Sequence, residues 1–67
     1  MPTDPSAHLA VIADHLDRYH EEVGHLVPGF TASQHDDIAA ALVEAERSLR
    51  SAARLVRRAA KMATAIR

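Results

Sequence analysis

"LVPGFTASQ", residues 26–34, decides how this chain folds. Pro28-Gly29 is a strong helix break, because proline has no amide proton and its ring crowds the preceding turn. Thr31-Ala32-Ser33-Gln34 fits a capping box, in which the hydroxyl and the amide side chain satisfy each other's backbone amides. The stretch reads as the end of one helix and the start of another. It is short enough to force the two into an antiparallel hairpin.

Upstream, Asp4-Pro5 is a helix start, with Asp capping free amides and Pro at the first helical position. Leu9, Ile12, Leu16, Tyr19, Val23 and Leu26 follow at spacings of three and four, an a/d heptad stripe. Gly24 weakens the last turn. Helix one is expected over about residues 5–26, with the turn over about 27–31.

Downstream, Asp36 and Asp37 suit the positive end of a helix dipole. Ile38, Leu42, Ala45, Leu49, Ala52, Val56, Ala59, Ala63 and Ile66 recur at alternating spacings of four and three, and no Gly or Pro follows Gly29. Helix two is expected over about residues 32–66. Helices of these lengths span roughly 33 Å and 50 Å. Helix one then covers helix two only to about Ala53, and the apolar residues beyond overhang it.

The expected fold class is all-α: a single domain, residues 1–67, forming an antiparallel helical hairpin with a longer second helix. With Leu42 at a, the e and g positions of helix two include Ala39, Ala41, Ala53, Leu55, Ala60 and Met62. That apolar face is wider than a two-stranded seam needs. Ala45, Ala52 and Ala59, one per heptad, permit close helix approach. The reading is that two hairpins pair into a four-helix bundle.

Chain size points the same way. Sixty-seven residues give a small core, and such scaffolds usually need disulfides, a metal or self-association. There is no cysteine, which removes disulfides and thiolate metal sites. "MPTDPSAHLA" at the start has neither the basic region nor the apolar stretch of a secretory signal, and no apolar run approaches a membrane span. A cytoplasmic location is the expectation.

The near-neutral total conceals a split. Residues 1–46 carry nine acids against one base, a net of −8, while residues 47–67 carry seven bases and no acid. Arg47, Arg50, Arg54, Arg57, Arg58 and Lys61 fall at b, c and f, so they form an outer stripe rather than seam ion pairs. Only Glu46 and Arg67 fall at e.

Reaction chemistry has little material. There is no Gly-rich phosphate loop and no inward carboxylate pair. Glu22 and His25 have a Glu-x-x-His spacing, but His25 falls at c, away from the seam. Tyr19, at d, reads as core. Neither enzyme activity, a catalytic or metal site, nor a cofactor is expected. The basic helix lacks aromatics to stack bases and Asn or Gln to read them, so nucleic-acid binding would be non-specific. Without Trp or Phe, it is a poor membrane-surface helix.

The sequence therefore suggests a self-associating interaction or adaptor module. Leu49, Ala52, Leu55, Val56, Ala59, Met62, Ala63 and Ile66 form the expected assembly face, with a dimer as the simplest assembly. The stripe Arg47, Arg50, Arg54, Arg57, Arg58 and Lys61 is offered to an acidic protein surface. Non-specific nucleic-acid binding through the same stripe is the alternative.

Overall fold

A computed structural model of the chain describes residues 4–66; Arg67 lies outside the described residues. Two helices pack against each other, α1 (Pro5–Ala32) and α2 (Asp36–Thr64). The start of α1 is as the sequence implies. Asp4 is its N-cap, accepting from the Ser6 amide at 3.3 Å and the Ser6 hydroxyl at 2.9 Å, with Pro5 at the first helical position.

The expected end of α1 at Leu26 is corrected. The helix passes through Pro28 and Gly29 and stops six residues later, at Ala32. Proline forfeits one hydrogen bond to the carbonyl four residues back, and its ring crowds that carbonyl. That residue is Gly24, whose missing side chain gives the backbone room to adjust.

The stop itself is Gln34, the single non-glycine residue with positive φ among those described, at 64°. The His35 amide donates to the Phe30 carbonyl at 2.8 Å and the Gln34 amide to the Thr31 carbonyl at 3.1 Å. These six-to-one and five-to-two bonds form a Schellman motif with glutamine in the left-handed position. The capping box expected from Thr31 and Gln34 does not form. Thr31 instead donates to the Val27 carbonyl inside α1, and α2 begins from His35 without a side-chain cap.

The longer α1 removes the expected overhang. The helices have 28 and 29 residues, and Ala60, near the end of α2, is buried. The seam also differs from the a/d stripe. Apart from Ser6, Asp17 and Gly24, the buried or half-buried residues of α1 are Leu9, Ala13, Leu16, His20, Val23, Val27 and Phe30; along α2 they include Ala39, Leu42, Glu46, Leu49, Ala53, Val56, Ala60 and Ala63. Both sets follow the a and e positions. Ile12, Tyr19 and Leu26, expected in the seam, are 36%, 54% and 56% exposed.

The core that results is slight. The buried residues are Ala13, Ala39, Ala53 and Ala60, and among the described residues no side chain larger than alanine is fully buried. The hairpin is a slab of 53 × 20 × 11 Å. Its accessible surface is 5210 Å², against roughly 4,200 Å² for a compact monomer of its mass.

Candidate interaction surfaces

The slab has two broad faces of opposite character. In an antiparallel pair, equivalent heptad positions of the two helices emerge on the same side, because reversing one helix mirrors its winding as seen from a common end. Ion pairs identify the first face. Arg57, at b on α2, donates to Asp14 at 2.8 Å and lies 2.9 Å from Asp17 on α1. The opposite face therefore carries the d and g positions of both helices.

On α2 the d and g positions are Ile38, Ala41, Ala45, Ser48, Ala52, Leu55, Ala59 and Met62, with no charge among them, and Ile66 follows just past the helix end. Leu55 and Met62 are each 63% exposed and Ile66 is 77% exposed. On α1 the same face carries Ile12, Tyr19 and Leu26, rimmed by His8, His15 and Glu22. The apolar surface is thus lateral, running along the whole hairpin, rather than a free end of α2.

This arrangement divides the assembly residues read from the sequence. Leu55, Ala59, Met62 and Ile66 are exposed on the lateral face, and Ala52 is half-buried at its inner edge. Leu49, Val56 and Ala63 are half-buried in the seam between α1 and α2. Ile12, Tyr19 and Leu26 of α1 are also exposed on this side, and the sequence reading does not include them in the assembly face; their seven-residue spacing fits an outer row as well as a seam.

On the other face, Arg50, Arg54, Arg57, Arg58 and Lys61 line an open groove together with Asp17. Hydrogen bonds to Asp17 and then Asp14 push the Arg57 guanidinium above its ordinary range, partly opposed by desolvation. Arg50 bonds Glu46 one turn away, and Arg47 approaches Glu44 at 3.7 Å. Arg54, Arg58 and Lys61 have no carboxylate partner among the described residues. They follow one another at spacings of four and three, so they share one side of α2.

His20 and Glu46 are polar residues set in the seam. The His20 Nε2 lies 3.6 Å from Asp17 and its Nδ1 3.4 Å from Glu46. The latter contact lacks hydrogen-bond geometry, leaving Nδ1 buried without a partner. Among the described residues no three His, Asp or Glu side chains converge to hold a metal ion, and no helix is long and apolar enough to cross a membrane.

Comparisons with protein-family models, curated proteins and solved structures find no match to this chain. The faces of the hairpin carry the functional reading on their own.

Proposed function

We propose that this protein is a self-associating helical interaction module: two hairpins pair through the lateral apolar face, and the basic groove stays available to an acidic partner. The carrying observation is the imbalance between what the hairpin buries and what it exposes. Among the described residues only four alanines are buried, while Tyr19, Leu26, Leu55, Met62 and Ile66 are more than half exposed. A specific interface needs about 800 Å² from each partner. The broad face, 53 by 20 Å, is large enough to provide it.

Sedimentation equilibrium at high micromolar concentration is the direct test, with a dimer expected. Ala59→Glu, at a d position exposed in the single hairpin, should return the chain to a folded monomer, since a charge buried without a partner costs several kcal/mol. Val56 is less suitable for this test because it also packs in the seam. A folded wild-type monomer at that concentration would overturn the reading.

The free cations Arg54, Arg58 and Lys61 favour a second reading, non-specific nucleic-acid binding. Three phosphate contacts predict a slope of log K against log salt near −2.7 for duplex DNA. Titration of labelled duplex and of a labelled poly-glutamate peptide at low and physiological salt separates the two partners. Binding only to the peptide supports an acidic protein partner, and duplex binding with that slope supports the alternative.

A further inference from the structure

The lateral face has relief that selects how two copies meet. On α1, Ile12, Tyr19 and Leu26 stand one heptad apart and form a bulky ridge. On α2, Ala45, Ala52 and Ala59 have the same period and form a trough. A Cβ built at Gly24 would lie 3.7 Å from Glu46 Cγ, and with the contacts of His20 with Glu46 and of Asp14 with Arg57 this places residues whose numbers total near 70 level on the two helices. Ile12 is therefore level with Ala59, Tyr19 with Ala52, and Leu26 with Ala45.

Resting on the self-association proposed above, we propose that the partner is a second copy related by a two-fold axis parallel to the helices, so that α1 of each protomer lies over α2 of the other. This operation keeps every residue at its own level. It lays the ridge of one hairpin into the trough of its partner at three successive heptads, and all neighbouring helices run antiparallel. The other face-to-face arrangement, with the axis across the helices, sets ridge on ridge and trough on trough. Tyr19 would then meet a facing ridge, and the alanines would leave voids, whose lining atoms lose their contacts.

The axis also turns both basic grooves outward, on opposite sides of the assembly.

The flanks of the face supply a test in the full chain, which has no cysteine of its own. Glu22 and Ser48 are exposed g positions whose numbers total 70, so the proposed axis brings Glu22 of one protomer beside Ser48 of the other. Chains carrying Glu22→Cys and chains carrying Ser48→Cys are mixed, treated with a short bis-maleimide and resolved by denaturing electrophoresis. The mixture should give several-fold more cross-linked dimer than either variant alone. In the alternative arrangement Glu22 instead approaches His15 of the other copy. A mixture of Glu22→Cys with His15→Cys that cross-links preferentially would overturn the pairing and leave self-association standing.

Sedimentation of the same variants separates the remaining outcomes. A dimer that cross-links in neither mixture also overturns the pairing, and a monomer overturns self-association with it. Ala52→Leu offers a second readout: filling the trough should raise the dimer dissociation constant about tenfold, and adding Tyr19→Ala in the same chain should recover part of that loss. Unchanged affinity in Ala52→Leu counts against the ridge-in-trough contact.

Discussion

Arg57 and Asp14 are 43 residues apart in sequence and joined by a 2.8 Å hydrogen bond. With Asp17 at 2.9 Å from the other terminal nitrogen of Arg57, this bond ties α2 to α1 on one side of the hairpin. It also identifies which broad face is polar and which is apolar.

Replacing Arg57 with Ala should lower the melting temperature by a few degrees, because the ion pairs lie at the surface and are screened by water and salt. The loss should shrink at high salt. Since the folded-state pKa of Arg57 is raised, its stabilisation is complete below the ordinary guanidinium value and is lost only as pH rises through the folded one. Thermal melts between about pH 6 and 9 should therefore show the same Arg57→Ala deficit from this titration. A deficit that disappears in that window would show that the pairing is not formed as described.

Gln34→Gly should stabilise the hairpin. Gln34 holds a left-handed conformation that costs an L-residue roughly 1–2 kcal/mol, part of which glycine gives back through its own entropy. A net gain of about 0.5–1 kcal/mol is expected at this Schellman position. Gln34→Val, with a branched Cβ at positive φ, should move the melting point the other way. Equal melting points for all three residues would contradict the turn geometry.

The all-α hairpin was legible from two apolar periodicities and a short connection, but two details were not. The first is rotation. On α2 the a, d and e rows are all dominated by apolar or small residues, so seams along a/d and a/e satisfy the pattern nearly equally while differing by roughly 50° about the helix axis. On α1 the larger side chains at d suggested the wrong row. The seam uses Ala13, His20 and Val27 at e, where small Ala13 permits the helices to approach closely. The second is length. Pro28-Gly29 is a helix-stop signal by local rules, but Val27 and Phe30 are half-buried on the continuing helix, which offsets one missing hydrogen bond. Those extra turns of α1 removed the overhang and moved the exposed apolar surface to the side. The basic stripe was legible because its register left it outside; its division into paired and free cations required the α1 acids.

His20→Leu should raise stability by about 1 kcal/mol. His20 buries an unpartnered Nδ1 in the seam, and a leucine there removes that polar desolvation while filling similar space. Glu46 retains Arg50 as its partner in the variant. Chemical denaturation at pH 8 reads the change as a shift in midpoint with unchanged slope. A lower midpoint would mean that the contacts of His20 with Asp17 and Glu46 outweigh the unsatisfied nitrogen.

Pro28 tests whether the continuing α1 is held by the seam or merely tolerated there. Pro28→Ala restores one backbone donor and removes the ring from the Gly24 carbonyl, so it should stabilise by on the order of 1–3 kcal/mol. Gly24→Ala has its own expectation. A Cβ built at Gly24 meets Glu46 Cγ at 3.7 Å, ordinary van der Waals contact, so helix propensity alone predicts a gain of about 0.5–1 kcal/mol. If Gly24 is needed to accommodate the proline ring, that gain appears in the Pro28→Ala background and is reduced beside Pro28. The double-mutant cycle should therefore be non-additive, with a coupling of at least about 0.5 kcal/mol. Strict additivity would mean that the backbone passes Pro28 without using the freedom of Gly24.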